Sequence, residues 1–323
     1  MVPLRMDVKI TMNRQYVMAF DIGGTFVKAV LLTTNGTPLK GSEREFPARS
    51  GEAKNVVLAH FYDMIRELAD TVTEEADQFS GIGYAFPGPF DYETGVSYMQ
   101  GIGKFDAIYG VNMKEAIQAF ITADAQLVKR FSNDFLIVFE NDARIFGLGA
   151  AAVYKSLGVN KLIALTLGTG LGSAFINQGQ IVTKGGQGIP LEGYLYHVPY
   201  EDSIFDDYFS RRGILRIFAR LGLEAERLDV KGISELAEAG DPIAVQVFSD
   251  FGEALGRALL LFVEQFQPDA IVIGGQISKS MPLFKPALAL ALNLPMDMLI
   301  QTDTMTCTMK GIWNLIIAKQ NLA

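Results

Sequence analysis

The chain has 323 residues, room for about two domains at roughly 150 residues each, and it is 49% hydrophobic and 20% charged, so low hydrophobicity offers no case for disorder. Its 28 Lys plus Arg against 36 Asp plus Glu give a formal net charge of -8, which removes the electrostatic footprint of a general nucleic-acid binder. One cysteine, Cys307, excludes both a disulfide framework and a multi-cysteine zinc site.

The opening MVPLRMDVKITMNRQ interrupts its apolar residues with Asp7 and Lys9, unlike the core of a secretion signal. The longest nearly apolar run, Pro286 to Met296, is far shorter than the ~20 residues of a spanning helix, so a cytoplasmic protein without membrane contact is expected. Tyr16 to Phe20 predicts a buried strand, Asp21-Ile22-Gly23-Gly24-Thr25 a turn, and Phe26 to Thr33 a second strand closed by the turn dipeptide Asn35-Gly36. Val57, Phe61, Met64, Ile65, Leu68 and Val72 recur with helical spacing, Ile82 to Phe86 reads as a strand, and a second helix is expected over Asn112 to Arg130. A further helix follows Asn141-Asp142, from Ala143 to Tyr154.

The opening pattern then returns: strand Leu162 to Leu167, turn Gly168-Thr169-Gly170-Leu171-Gly172, strand Ser173 to Ile176, turn Asn177-Gln178-Gly179. A long helix from Pro242 to about Gln267 begins with a proline, where no N–H is missed, and the strand Ala270 to Ile273 ends in Gly274-Gly275. Strands alternate with helices in both halves, which predicts an α/β duplicate.

A glycine cluster at a strand end is ordinarily a tight turn, yet glycines also let backbone N–H groups approach phosphate oxygens. Three clusters, at Gly23, Gly168 and Gly274, favour a nucleotide. No Walker loop is present, because Gly103-Lys104 precedes Phe105 and lacks the earlier glycine. A dinucleotide fingerprint at Gly168-Thr169-Gly170 fails too: Ser173 to Gly179 reads as a strand and a hairpin turn where that motif requires a helix. Asp21 places a carboxylate beside the first glycines, where it can hold Mg²⁺ directly or through water.

These residues together resemble the ROK family of sugar kinases, within the actin/hexokinase/Hsp70 superfamily of ATPases. The resemblance runs in order through Phe20-Asp21-Ile22-Gly23-Gly24-Thr25-Phe26-Val27-Lys28, Phe86-Pro87-Gly88-Pro89, Glu140-Asn141-Asp142-Ala143, Thr166 to Ser173, Ala239-Gly240-Asp241-Pro242 and Ile271 to Ser278. It implies two ribonuclease-H-like α/β domains of the actin-like ATPase type with a cleft between them: an N-terminal lobe of residues 14–151 plus 307–323, to which the last helix, around Gly311 to Gln320, returns, and a larger lobe of residues 152–306. It further implies ATP as cofactor, with Asp21 positioning Mg²⁺, with Gly23, Gly24, Thr25, Lys28, Gly168, Thr169, Gly170 and Gly172 toward phosphates, and with Gly274 and Gly275 near adenosine.

Asn141-Asp142 reads most simply as a helix N-cap. The resemblance adds that Asp142 takes the proton of the attacking sugar hydroxyl and that Asn141 and Gly88 lie at the sugar. The family's Gly-Glu-x-Gly-His motif meets Gly188-Ile189-Pro190-Leu191-Glu192-Gly193-Tyr194-Leu195-Tyr196-His197 here, where two registers are open. Aligning the acid makes Glu192 the sugar carboxylate; aligning Gly193 and His197 puts Tyr194 in its place. The family's zinc cysteines are absent, and its final glutamate maps to Asp206 in the acidic run Tyr200 to Asp207, which reads equally as a solvated helix start. A hexose kinase acting on glucose or a relative at the 6-hydroxyl is expected, commonly a homodimer, with no nucleic-acid partner. The alternatives are a sugar-sensing regulator, whose N-terminal DNA-binding segment has no room before Tyr16, and a kinase drawing on polyphosphate.

Overall fold

The computed structural model describes residues 14–74, 77–183, 186, 188–222, 228–293 and 296–322. The leader stretch before Arg14 lies outside them, as do residues 294–295 at the end of the longest apolar run. The chain forms two compact units, residues 1–141 with 312–323 and residues 142–311.

In the first unit, β1 (Gln15–Ile22) and β2 (Phe26–Thr33) form an antiparallel hairpin, β3 (Arg44–Pro47) extends it, and β4 (Gln78–Phe86) and β5 (Phe131–Asn141) add parallel strands on the other side of β1. The order is β3-β2-β1-β4-β5. Val17 to Phe20 are all buried, as a central strand covered on both faces requires. Helix α1 (Lys54–Ala69) buries Val57, Phe61, Met64, Ile65 and Leu68, the expected apolar face. Helix α2 (Met113–Ala123) starts as expected, with Asn112 accepting from Glu115 N–H at 3.1 Å, but stops well short of Arg130. Asp124 ends it, because its Oδ1 takes the N–H groups of Gln126 at 2.9 Å and Leu127 at 3.0 Å and turns the chain into a short 3-10 segment.

The second unit begins with α3 (Asp142–Tyr154) and repeats the sheet: β6 (Lys161–Leu167), antiparallel β7 (Leu171–Asn177), β8 (Gln180–Ile181), then β9 (Ala270–Gly274) and β10 (Asp297–Ile300) parallel to β6. Its order, β8-β7-β6-β9-β10, matches that of the first sheet position for position. Both are ribonuclease-H-like sheets, so the fold is the actin-like ATPase class of α/β protein. Helices α4 (Phe205–Tyr208), α5 (Arg211–Arg220), α6 (Val230–Glu238), α7 (Pro242–Phe266) and α8 (Met281–Leu292) complete this unit. Asp241 caps α7 by accepting from Ile243 N–H at 3.0 Å and Ala244 N–H at 2.9 Å, and Gln267 ends it in the left-handed region at φ 51°. No helix among the described residues is long and apolar enough to cross a membrane.

The division falls at residues 141/142 and 311/312 rather than at 151/152 and 306/307, because α3 packs on β6 and β7 of the second sheet. The final helix, α9 (Thr304–Gln320), is longer than expected and begins in the second unit. There it crosses α3 in backbone contact: a Cβ on Gly149 would lie 1.8 Å from the Cys307 carbonyl oxygen, and one on Gly311 would lie 2.0 Å from that of Ile145. Burial at this crossing pushes the Cys307 thiol up to about 12. From Ile312 onward α9 packs on the first sheet, where Gly81 and Gly83 make room for Ile316 and Ile312, and Gln320 Nε2 donates to the Ser80 carbonyl at 2.9 Å. Gly149→Ala is therefore expected to destabilise the second unit by about 1–3 kcal/mol, the usual result of overpacking, with the shift read from the urea midpoint.

Candidate functional site

In the first unit, Asp21 stands half-buried near the end of β1, opposite Lys28 of β2, and Lys28 is exposed. The turn beyond it is tight: Gly23 N–H donates to the Phe26 carbonyl at 3.0 Å, and a Cβ on Gly23 would lie 2.7 Å from that same oxygen. Gly24, Thr25 and Phe26 are exposed. Two residues that the sequence analysis did not assign brace this turn. Ser50 Oγ donates to the Gly24 carbonyl at 2.7 Å, and Phe105 N–H donates to the Ser50 carbonyl at 2.6 Å. That bond carries the loop 101–105 onto the turn, so the Lys104 stem lies 3.3 Å from where a Gly24 Cβ would stand. A half-buried carboxylate beside a glycine turn fits Mg²⁺, which keeps several waters and takes few protein ligands. Among the described residues no cluster of three or more His, Cys, Asp or Glu could hold a metal ion.

Asn141 closes β5, its Nδ2 donating to Tyr92 Oη at 3.3 Å while Tyr92 donates to the Phe86 carbonyl at 3.0 Å. Tyr92 thus ties Asn141 to the Phe86-Pro87-Gly88 turn, where a Gly88 Cβ would meet its hydroxyl at 3.2 Å. Only the spacing of Tyr92 along the chain was available beforehand, and spacing does not reveal such a bridge.

In the second unit, Asp142 opens α3 with Oδ1 accepting from Ala143 N–H at 2.8 Å. Gly172 lies where any side chain would collide: its Cβ would come within 2.6 Å of Ala143 Cβ and 2.2 Å of Thr166 Oγ1. The start of α3 is therefore pressed onto β7 directly after the turn 168–170. Arg144, two residues beyond Asp142, has a side chain only 6% exposed and pairs with Glu192 Oε2 at 2.7 Å. Its guanidinium also donates to the Glu192 carbonyl and lies 4.4 Å from the Tyr194 ring centroid. Glu192 adopts φ 57°, and Ser173 Oγ fixes the segment beyond it by donating to the Gly193 carbonyl and accepting from Leu195 N–H, both at 2.8 Å. His197, by contrast, is exposed and stacks edge-on against Tyr196 at 4.9 Å.

Asp206 is held elsewhere. Its Oδ1 accepts from Leu171 N–H at 2.6 Å, at the exit of the glycine turn, and its Oδ2 pairs with Arg212 at the start of α5, so both oxygens are engaged.

That turn opens into a cavity of about 600 Å³, within the usual range for small-molecule sites. Gly168 and Thr169 line one part of it, Arg211, Asp229 and Lys231 another, and Ser234, Gln276 and Ser280 a third. Ser280 Oγ donates to Ser234 Oγ at 2.9 Å, a buried hydroxyl pair joining α6 to the 276–280 turn. Asp229 accepts from Val230 N–H at 2.7 Å and from Arg211 Nε at 2.8 Å, which holds its carboxyl below the usual carboxylate range. Gly274 and Gly275 do not line this cavity, and close packing explains them: their Cβ atoms would lie 2.5 Å from the Phe146 ring and 2.3 Å from the Leu167 carbonyl.

The sequence is 27% identical over 293 residues to a glucokinase of Thermotoga maritima, covering 83% of this chain and 84% of that one. It is 25% identical over 276 residues to a beta-glucoside kinase of Listeria innocua, with 83% and 84% covered. The structure matches a ROK family glucokinase from Streptomyces griseus, solved in complex with glucose and AMPPNP, at TM-score 0.68 and 19% identity over 94% of this chain and 99% of that chain. A match to the ROK family spans residues 17–297, and with the duplicated sheets and glycine turns already described, the chain belongs to the ROK family.

Proposed function

We propose that the protein is an ATP- and Mg²⁺-dependent hexose kinase, with glucose or a close relative as acceptor at its 6-hydroxyl. The observation that carries this reading is the contact between Gly172 and Ala143, which sets the Asp142 end of α3 against the strand leaving the turn 168–170. A turn suited to phosphate and a carboxylate suited to a hydroxyl proton are thus neighbours within one unit, beside a cavity large enough for a nucleoside.

In this reading the sugar oxygen attacks the γ-phosphorus, the bond to the β,γ-bridging oxygen breaks, ADP leaves, and the hydroxyl proton passes to an Asp142 oxygen. Such a transition state asks the protein mainly for positioning and charge stabilisation. Mg²⁺, when bound, supplies charge neutralisation on the phosphates, and Asp21 is the residue that would hold it. Asn141, steadied by Tyr92, and Glu192, steadied by Arg144, bind sugar hydroxyls; Thr169 and Gly170 give backbone N–H groups to phosphate, in a turn closed by the Gly168 N–H donating to the Gly170 carbonyl at 3.0 Å. The relatives named glucokinase and beta-glucoside kinase support the sugar-kinase class. Coupled ADP release measured over a hexose panel should show sugar-dependent turnover. No turnover of the wild type on any member of the panel with ATP as donor would defeat the proposal.

A further inference from the structure

We propose that Asp206 is a positioning residue for the phosphate-binding turn 168–170, and that this role replaces a contact with the sugar. The inference rests on the kinase reading of that turn. Four observations within the second unit converge on it. Asp206 Oδ1 accepts from the Leu171 backbone N–H at 2.6 Å, a charge-assisted bond to the residue that leaves the turn. Gly170 leaves room for this approach, since a Cβ there would stand 3.0 Å from the same oxygen. The other end of the turn is held from the same stretch of chain, where Arg211 N–H donates to the Gly168 carbonyl at 2.8 Å. Arg212 pairs with Asp206 Oδ2, and Asp206 N–H donates to the Tyr196 carbonyl at 3.0 Å, so the residue is anchored through both its carboxylate and its backbone.

Residues 206–211 therefore form a brace across the turn. A carboxylate with both oxygens committed to the protein fixes where the N–H groups of Thr169 and Gly170 point. Removing it frees the turn to sample other conformations, and nucleotide affinity falls because the ordering must then accompany binding. The sugar, bound by other residues, is unaffected.

The test uses the full chain and AMPPNP binding by calorimetry, alongside KM for ATP and for the best hexose. Asp206→Ala is expected to weaken AMPPNP binding and raise KM for ATP by about tenfold or more, with KM for the hexose within about twofold. Asp206→Asn keeps an acceptor for Leu171 N–H but loses the pairing with Arg212, so its defect should be smaller; it also serves as the readout should the alanine variant fail to fold. A rise confined to the hexose KM would assign Asp206 to the sugar and overturn the proposal, and so would wild-type values for both substrates. Wild type that turns over no hexose and binds no AMPPNP overturns the kinase reading and this role with it, whereas wild type that binds AMPPNP no better than Asp206→Ala does overturns this role alone.

Discussion

Asp142→Asn lowers kcat by about 10²- to 10⁴-fold, the usual worth of a general base, while the fold survives. Asparagine keeps a side-chain oxygen that can accept from Ala143 N–H, so the local bond at the start of α3 persists. What the variant loses is the lone pair that receives the hydroxyl proton, together with the negative charge beside the positive end of the helix, which is worth about 0.3–1 kcal/mol of stability. Steady-state kinetics with saturating ATP and hexose read the first effect, and a urea titration reads the second. KM values near those of the wild type, with kcat reduced, place the loss in the transition state. Retention of near-normal kcat would remove Asp142 from this role.

Glu192→Ala is expected to act on both stability and binding. Arg144 is almost wholly buried, and Glu192 is the carboxylate it pairs with at 2.7 Å. Removing a partner from a buried guanidinium costs up to several kcal/mol; because the Glu192 side chain is 50% exposed, water lessens this to about 2–3 kcal/mol. Hexose KM should rise at least about tenfold as a charged hydrogen-bond partner disappears, with KM for ATP little changed. The double variant Arg144→Met with Glu192→Ala separates the two effects: it should recover part of the stability, because the guanidinium that Glu192 pairs with is gone, but none of the hexose affinity. Recovery of both would show that Glu192 serves only to neutralise Arg144.

The features legible in the sequence are those set by neighbours along the chain. The two strand-glycine-strand openings could be read from apolar runs broken by glycines, and α7 from Asp241-Pro242 at its start. The end of α2 was not legible, since helical periodicity continues past Ala123 and only the Asp124 side chain turning back onto the backbone stops it. Nor were the pairings that shape the site. Arg144 reads as one more helix residue until the fold brings Glu192, distant along the chain, against it. The glycines show the limit most clearly: Gly168 stands open beside a cavity, while Gly172, Gly274 and Gly275 are required by Thr166, Phe146 and Leu167 packed against them. A glycine that admits a ligand and a glycine that admits a neighbouring strand carry the same letter. Asp206 illustrates a related point, because the family pattern gives the position of a carboxylate but not what it faces; here it faces Leu171 and Arg212.

In the proposed reaction Asp142 and the turn 168–170 serve one phosphoryl transfer. It is tested most directly by incubating the wild type and Asp142→Asn with ATP radiolabelled in its γ-phosphoryl group, a hexose and Mg²⁺, and locating the label. Label is expected in a sugar monophosphate for the wild type, at the 6-position for glucose, with a rate lower by at least about 10²-fold for the variant. Label appearing only as inorganic phosphate, or in sugar phosphate at equal rates for both proteins, would contradict it.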